Sequence, residues 1–278
     1  MLSHFASCVF NATKEALAVS RCELCGRWPS DTGFSVCHDC LARHASLVNR
    51  CDRCGIFQTI RSSACIACDT QASSLDQCIA AVDYADPWIA LIHRLKFQQD
   101  TGVCHLLAYV LHSRLVAHTQ PHSSRTLPAL LATDWVIPVP MHTLALSHRG
   151  YNQSWQLCKA LKSRLKTHPI EGSERWEFRH DVLLKTTPTR QQHDLNRAQR
   201  LHNLASAFAV APQMWTQIQG RSITLIDDIM TTGATLHAAA NALRQQGAAH
   251  VQAWVIARTP TPIPSRLIDN QPLLTPFS

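Results

Sequence analysis

The clearest pattern of apolar and polar positions lies between residues 223 and 243. Four apolar or β-branched residues, 223–226, are followed by two acids, Asp227 and Asp228. A polar segment, residues 231–235, then leads to apolar positions at helical spacing, which are Leu236, Ala239, Ala240 and Leu243. Because strands favour short β-branched runs and helices favour apolar positions three or four residues apart, this segment predicts a strand, a loop and a helix.

The chain from residue 77 onwards shows the same alternation. Apolar stripes at 88–95, 103–111 and 155–165 predict three helices. Short apolar runs at 134–140, 182–184 and 251–257 predict strands, the first of which ends in a turn at Pro138 and Pro140. This order predicts an α/β fold with a short parallel sheet flanked by helices, and a ligand crevice at the C-terminal ends of the strands. We assign residues 77–278 to this domain.

The predicted loop after the two acids is suited to bind a sugar phosphate. Free N–H groups and the positive dipole end of the following helix favour an anion, and threonine hydroxyls add donors. The loop consists of Thr231, Thr232, Gly233, Ala234 and Thr235. Asp227 and Asp228 are placed to accept hydrogen bonds from a vicinal diol. The segment therefore offers ligands for both halves of a sugar phosphate.

Two familiar phosphate-binding loops do not fit this segment. A Walker loop needs Lys after its last Gly, and the dinucleotide fingerprint needs three spaced glycines where this loop has one. An acidic turn with a Thr N-cap and no ligand is the remaining alternative. Lys96, at the end of a predicted helix, and Arg190, in a basic loop that could close over an anion, are candidates for binding phosphate.

The first 76 residues contain a different signal, four Cys-x-x-Cys pairs. These are Cys22 and Cys25, Cys37 and Cys40, Cys51 and Cys54, and Cys65 and Cys68. Each pair offers two thiolates to one tetrahedral ion, so eight sulfurs predict two zinc ions. We assign residues 1–76 to a double zinc ribbon with knuckles between residues 22 and 68. Because such a ribbon has almost no core and both ions are fully coordinated, the zinc is expected to be structural.

An internal repeat bears on how the pairs share the two ions. The first knuckle recurs 29 residues later and the second 28 residues later, which indicates two modules in series. This favours sequential sites, residues 22 to 40 and 51 to 68, over an interleaved arrangement, which stays open. His38 could replace a ligand, although the count does not require it. The other cysteines, Cys8, Cys78, Cys104 and Cys158, are expected to be small buried residues.

Composition and charge narrow the class of protein. A chain of 278 residues with 46% hydrophobic residues can bury a core and form two domains. It contains neither a long apolar segment nor a secretory signal pattern, so we expect a cytoplasmic protein without membrane insertion. The net charge is +7, and residues 159–200 contain ten Lys/Arg against five Asp/Glu. This excess favours nucleic acid or phosphorylated partners, although a solvated basic face is the alternative.

The segment 223–235 resembles the phosphoribosyl-pyrophosphate motif of type I phosphoribosyltransferases, an apolar strand followed by two acids and Thr-Thr-Gly-x-Thr. The resemblance implies that Asp227 and Asp228 hold the ribose and that Mg²⁺ accompanies the pyrophosphate. It also implies that the loop after the strand at 134–140, with Pro138 and Val139, contacts the pyrophosphate. Arg149 lies just beyond that loop and is a further candidate ligand.

The order of motifs along the chain resembles the ComF family of competence and DNA-utilisation proteins. The motifs are the cysteine knuckles, residues 95–97, 138–140, 149–153, Thr187 with Gln191, Arg200 with Asn203 and Phe208, and finally 227–233. Tyr151 stands where Phe is usual, and Met230 is uncommon. The resemblance implies a bacterial protein of natural competence and DNA uptake, with single-stranded DNA, a helicase or other uptake proteins as partners.

Three functions remain compatible with the sequence. A phosphoribosyltransferase with an unknown acceptor explains the acids and the loop. A factor that handles single-stranded DNA explains the ribbon and the basic segment. A ligand-sensing regulator would keep the pocket without the chemistry.

Overall fold

The structure is a computed structural model that describes residues 21–28, 36–60, 65–70, 73–119, 132–186 and 207–260. The cysteine-rich segment contains two short helices, α1 (His38–His44) and α2 (Ile66–Thr70). The strands are β1 (Gln77–Asp83), β2 (Trp135–Pro138), β3 (Glu177–Phe178), β4 (Leu183–Lys185), β5 (Phe208–Val210), β6 (Ser222–Met230) and β7 (His250–Arg258). The other α-helices are α3 (Trp88–Phe97), α4 (Val103–Thr119), α5 (Thr143–Arg149), α6 (Gln153–Thr167) and α7 (Ala234–Gln245).

Five of the strands form one parallel sheet in the order β1, β7, β6, β2, β3. The central strand β6 pairs Ile226 with Pro138 of β2 and Met230 with Arg258 of β7. All five strands therefore end at the same edge of the sheet, where open α/β sheets bind ligands. The predicted parallel sheet flanked by helices is confirmed.

Helices cover both faces of the sheet. The face that includes Ile226 and Trp254 packs against α3, α4 and α6 in one buried cluster. The opposite face, which includes Leu225 and Val255, packs against α7 and against a hairpin of β4 and β5. The hydrophobic sheet is therefore covered on both faces, by three helices on one side and by α7 and the hairpin on the other, as expected for buried parallel strands.

The predicted helical stripes face the core. All four apolar positions predicted in α3 are buried, namely Trp88, Leu91, Ile92 and Leu95. The stripe in α4 is buried in the same way, at Val103, Leu106, Leu107, Val110 and Leu111. In α6, Cys158, Leu161 and Leu165 are buried while Trp155 is partly exposed. Periodicity therefore identified the faces that these helices bury.

Two strands of the sheet were not predicted. Strand β1 is an edge strand of almost wholly buried residues, in a part of the chain for which the sequence pattern predicted no strand. A continuous apolar run has no alternation that distinguishes a buried strand from a helix. Strand β3 contains only two residues, too few to produce a recognisable strand pattern. Helix α5 was also unpredicted, because it has no buried residue and hence no apolar stripe.

The cysteine-rich segment packs against the edge strand β1 and the helices beside it. The backbone N–H of Cys78 in β1 donates to the carbonyl of Asp52 at 2.6 Å. Arg50 pairs with Asp83 at 2.7 Å, and Arg114 of α4 donates to the carbonyl of Val48 at 2.6 Å. These contacts fix the ribbon on the sheet, while the division between residues 76 and 77 stays a prediction. Among the described residues, none of the helices has the length and apolarity to cross a bilayer.

Candidate functional site

The two acids lie at the C-terminal end of the central strand, and both contact neighbouring helices. Asp227 is half-buried, and its Oδ1 accepts a hydrogen bond from Ser154 Oγ of α6 at 3.0 Å. Asp228 is buried, and its Oδ2 lies 3.1 Å from Nζ of Lys96 at the end of α3. Strand β6 continues through both acids to Met230, four residues beyond the apolar run predicted from sequence. The strand therefore continues up to the edge of the predicted loop.

Burial raises the pKa of Asp227 to about 7, and repulsion from the neighbouring Asp228 carboxylate adds to the effect. The hydrogen bond from Ser154 and the charge of Lys96 act in the opposite direction but do not offset the desolvation. The ionised form of such a carboxyl group is stabilised when a ligand supplies hydrogen-bond donors or positive charge. The acids therefore form a site that favours a donor-rich, cation-bearing ligand.

The loop between β6 and α7 has the geometry of an anion site. Gly233, the N-cap residue of α7, has a φ of 83°, a left-handed conformation that favours glycine. The Oγ1 of Thr232 accepts from the backbone N–H of Ala234 at 3.3 Å. The first intrahelical bond runs from His237 N–H to the Gly233 carbonyl, so the preceding N–H groups have no intrahelical acceptor. Thr231 and Thr232 are exposed at the mouth of the loop.

The side chain of Met230 packs between this loop and β1. The Sδ of Met230 lies 3.5 Å from Sγ of Cys78, and a Cβ added at Gly233 would lie 2.5 Å from Cε of Met230. A side chain at Gly233 would therefore require Met230 to move, in addition to the constraint from the φ of Gly233. The methionine that is uncommon in the resembling family therefore has a packing role here.

The other predicted ligands that lie among the described residues are found at the same edge of the sheet. Pro138 is the last residue of β2, and Val139 extends the ladder by donating to the Ile226 carbonyl at 2.9 Å. Arg149 donates to Gln153 at 2.9 Å and lies 5.5 Å from the centroid of the Phe97 ring. Arg190 lies outside the described residues, as do Thr187, Gln191, Arg200 and Asn203.

Residues 149–153 contact two of the other family motifs, 95–97 and 138–140, beside the acids. The hydroxyl of Tyr151 donates to the carbonyl of Leu95, the residue before Lys96. Asn152 donates through Nδ2 to the Val139 carbonyl at 3.0 Å, while its Oδ1 caps α6 by accepting from Trp155 N–H at 3.2 Å. The segment 149–153 therefore ties the end of α3 to the loop after β2, and so fixes Lys96 near Asp228.

Sequence reasoning missed three residues at this edge. Ser154 follows directly after the quoted motif 149–153, so its position was the only signal. Lys185 lies at the end of β4. Burial lowers the pKa of its ammonium group, and the charge of Asp227 acts in the opposite direction. Arg258, the last residue of β7, donates to backbone carbonyls around the loop. Its proximity follows from the pairing of β6 with β7, which the local sequence does not show.

The eight paired cysteines form two separate four-sulfur clusters. The clusters are Cys22, Cys25, Cys37 and Cys40, and Cys51, Cys54, Cys65 and Cys68, and within each the sulfurs lie within 4.8 Å of one another. This is the sequential arrangement that the internal repeat favoured. The described residues contain no other group of this kind, and His38 is not part of either cluster.

The spacing of the sulfurs fits zinc. Four sulfurs at a Zn–S distance of 2.3 Å from one tetrahedral ion lie about 3.8 Å apart. Sγ of Cys25 and Cys37 are 3.8 Å apart, and Sγ of Cys54 and Cys65 are 3.7 Å apart. Backbone N–H groups donate to Sγ of Cys22 at 3.3 Å and of Cys51 at 3.2 Å, which stabilises the thiolate that a metal needs.

The cysteines outside these clusters behave as small apolar residues. Cys78, Cys104 and Cys158 are buried. Burial raises the pKa of Cys78 and of Cys104 to about 12, so both are neutral thiols. Cys8 lies outside the described residues.

Comparisons with known proteins agree with this geometry. A family model described as a phosphoribosyl transferase domain matches residues 183–266. DNA utilization protein YhgH of Escherichia coli O6:H1 is 32% identical over 239 residues, which cover 86% of this chain and 96% of the relative. Competence protein F of Haemophilus influenzae is 28% identical, over 75% of this chain and 84% of the relative. Competence protein ComFC of Bacillus subtilis is 23% identical, over 81% and 84%.

Proposed function

Because the chain belongs to the ComF family of competence and DNA-utilisation proteins, we propose that it binds Mg²⁺-phosphoribosyl pyrophosphate at Asp227, Asp228 and the loop 231–235. The observation that supports this most directly is the pair of adjacent acids, Asp228 buried and Asp227 half-buried, beside a loop with a left-handed glycine. Without a ligand, desolvation and mutual repulsion disfavour two ionised carboxylates. The ribose hydroxyls of the ligand would donate to them and remove part of that cost.

Each part of the site has a role in this proposal. The N–H groups and hydroxyls of residues 231–235 hold the 5′-phosphate, and the two acids hold the ribose diol. Lys96 neutralises Asp228 and is close enough to the crevice to share its charge with the pyrophosphate. Pro138 and Val139 place the loop after β2 beside the same crevice. Mg²⁺, held by the ligand's oxygens together with carboxylates, would neutralise the leaving pyrophosphate.

If the protein is a phosphoribosyltransferase, the acceptor displaces pyrophosphate at C1 of the ribose. Positive charge then develops on the sugar ring, and the carboxylates of Asp227 and Asp228 stabilise it. The alternative is a protein that binds the same ligand as a signal and transfers nothing. Measurement of pyrophosphate release on addition of single-stranded DNA or a nucleobase separates the enzyme from the ligand-sensing protein.

Titration calorimetry with phosphoribosyl pyrophosphate, with and without Mg²⁺, tests the binding proposal. We expect Mg²⁺-dependent binding to the wild-type protein and a loss of about tenfold to a hundredfold in Asp227→Asn, since two ribose hydroxyls lose a charged acceptor. Asp134→Asn is the matched control, because Asp134 also bonds to β6, at Ser222, but at the opposite end of the sheet. No binding at millimolar ligand, in folded and zinc-loaded protein, would refute the proposal.

We also propose that the protein binds single-stranded DNA, through the first ribbon module and α6. The ring of Trp28 is 54% exposed, and the guanidinium of Arg21 lies 5.7 Å from its centroid. Helix α6 exposes Lys159, Lys162 and Lys166. Exposed aromatic rings that stack on bases, together with cations that neutralise phosphates, are the elements of non-specific single-strand binding.

Fluorescence anisotropy with labelled oligothymidine tests this second activity. We expect affinity to fall steeply with salt, because binding releases counterions from the phosphates. Trp28→Ala should weaken binding about tenfold, since one stacked base contributes on the order of 1–3 kcal/mol. Trp215→Ala, which removes another ring that is 50% exposed, is the control. Equal effects of the two substitutions would contradict a role for Trp28.

A further inference from the structure

One buried side chain connects the second cysteine cluster to the proposed ligand loop. Arg258 is 8% exposed, and its Nε donates to the carbonyl of Cys54 at 2.8 Å. Its Nη1 donates to the carbonyl of Met230 at 3.1 Å and to that of Thr231. The same nitrogen also donates to the carbonyl of Thr259 at 2.9 Å. A single guanidinium therefore contacts a metal-ligand residue on one side and the start of the loop on the other.

These bonds determine which way the loop's peptide groups face. In a trans peptide the N–H points away from the carbonyl that precedes it. Because the Met230 and Thr231 carbonyls face Arg258, the N–H groups of Thr231 and Thr232 point to the opposite side. The guanidinium is permanently charged, so its field also favours an anion at the loop. Arg258 thus contributes to the anion site without occupying it.

On its other side, Arg258 depends on the shape of the knuckle formed by Cys51 and Cys54. Cys54 is a member of the second cluster, and Gly55 after it is packed so tightly that an added Cβ would lie 2.9 Å from Cβ of Ala80 in β1. The N–H of Cys78 donates to the Asp52 carbonyl of the same knuckle at 2.6 Å. A ribbon of this size derives most of its folding free energy from bound metal. Loss of the metal would therefore release the Cys54 carbonyl that Arg258 holds.

We propose that Arg258 is a positioning residue through which metal at the Cys51, Cys54, Cys65 and Cys68 cluster raises the affinity of the loop for phosphoribosyl pyrophosphate. This inference rests on the proposed function of the loop. Thermodynamic linkage makes the coupling reciprocal, so the ligand tightens zinc at this cluster by the same factor as zinc tightens the ligand. The first cluster has no contact of this kind with the loop among the described residues, so its zinc should not respond.

Equilibrium competition against a colorimetric zinc chelator, with and without Mg²⁺-phosphoribosyl pyrophosphate, tests the coupling in wild-type protein. We expect the ligand to tighten one of two zinc equivalents by about tenfold, within the usual range of allosteric coupling. That equivalent should be missing from Cys54→Ser. Tightening of both equivalents, or of neither in a protein that binds the ligand, would overturn the inference. This comparison requires no substitution at Arg258.

Arg258→Met tests the route of the coupling. We expect its affinity for phosphoribosyl pyrophosphate to fall about tenfold and its zinc to become insensitive to the ligand. Arg258→Met also controls for chelation of zinc by free phosphoribosyl pyrophosphate, because that chelation is the same in the solutions of the variant and of the wild-type protein. Arg258→Lys keeps the charge but cannot reach both carbonyl groups, so it should recover part of the affinity and none of the coupling.

Arg114→Met is the matched substitution. Arg114 is a buried arginine that also donates to a ribbon carbonyl, that of Val48, and among the described residues it makes no hydrogen bond to the loop. It should keep both the ligand affinity and the coupling. If Arg258→Met keeps the coupling, or Arg114→Met loses it equally, the inference is wrong. If the wild-type protein binds no phosphoribosyl pyrophosphate, the proposed function fails and the inference fails with it, which is a different result from binding without coupling.

Discussion

Replacement of Asp227 by asparagine should stabilise the ligand-free protein while it weakens ligand binding. Burial and the adjacent Asp228 raise the pKa of Asp227 from 3.8 to about 7 in the folded protein. Between these two values the folded state keeps a proton that the unfolded state has lost, so wild-type stability falls as the pH rises from about 4 to about 7. Asparagine has no charge to bury. The advantage of Asp227→Asn should therefore grow over this range and stay constant at higher pH.

The size of the effect follows from the pKa difference. A rise from 3.8 to about 7 corresponds to about 4 kcal/mol if the carboxylate gains nothing from solvent. Since Asp227 is only half-buried, we expect on the order of 2 kcal/mol at pH 8. For a chain of this size that is an increase in Tm of roughly 4–8 °C. The Ser154 hydroxyl can still donate to the asparagine carbonyl, so the substitution leaves no buried donor without an acceptor.

Thermal unfolding of both proteins at pH 5, 6, 7 and 8, without ligand or Mg²⁺, measures the difference. Loss of zinc at low pH affects both proteins and cancels. Asp181→Asn gives the opposite sign as a control, because the hydrogen bond from Arg179 lowers the pKa of Asp181 and its ionised form is the stabilising one. If Asp227→Asn is less stable than the wild-type protein at pH 8, or if the difference does not change with pH, the reasoning about the acids is wrong.

Two further predictions concern the metal and the loop. Protein purified without added zinc should contain close to two zinc equivalents by atomic emission, and Cys25→Ser and Cys54→Ser should each remove about one; a metal-free protein that stays fully folded would contradict the ribbon assignment. Gly233→Ala should weaken ligand binding, because its Cβ would lie 2.5 Å from Cε of Met230 and displace that side chain beneath the loop, in a backbone conformation that favours glycine. Gly220→Ala, with a φ of 72° and nothing within 4 Å, has the same backbone strain of about 1 kcal/mol without the contact and should keep binding.

The features that the sequence predicted are those that depend on residues close together along the chain. Cysteine spacing identified both four-sulfur clusters, because two knuckles of one module must lie within the reach of a short chain. Helical periodicity identified the buried faces of α3 and α4. The two acids and the loop after them form a contiguous segment whose chemistry depends on neighbours in sequence. In each case the residues that determine the structure are close together along the chain.

The features that were missed depend on contacts distant in sequence. Strand β1 lacks alternation because it is buried on both faces, and only its pairing with β7 distinguishes it from a helix. Arg258 reaches the loop because β6 and β7 are parallel neighbours in register, Met230 opposite Arg258. Asp228 forms its ion pair with Lys96 because α3 packs against the sheet. Sequence patterns indicated which residues have side chains that can bind a ligand, and the order of strands in the sheet determines which of them come into contact.

The position of the ribbon gives a physical reason for its attachment to this sheet. Strand β1 is at the edge of the sheet, and unpaired N–H and C=O groups at such an edge can pair with other chains. The knuckle of Cys51 and Cys54 covers this edge at Cys78, and Arg258 at the end of the next strand donates to the same knuckle. The ribbon therefore protects the strand beside β7, and β7 in turn lies beside the strand that bears the acids. A metal site at the β1 edge has only β1 between it and the strand that carries Arg258, whereas a site at the β3 edge would have β3, β2 and β6 in between.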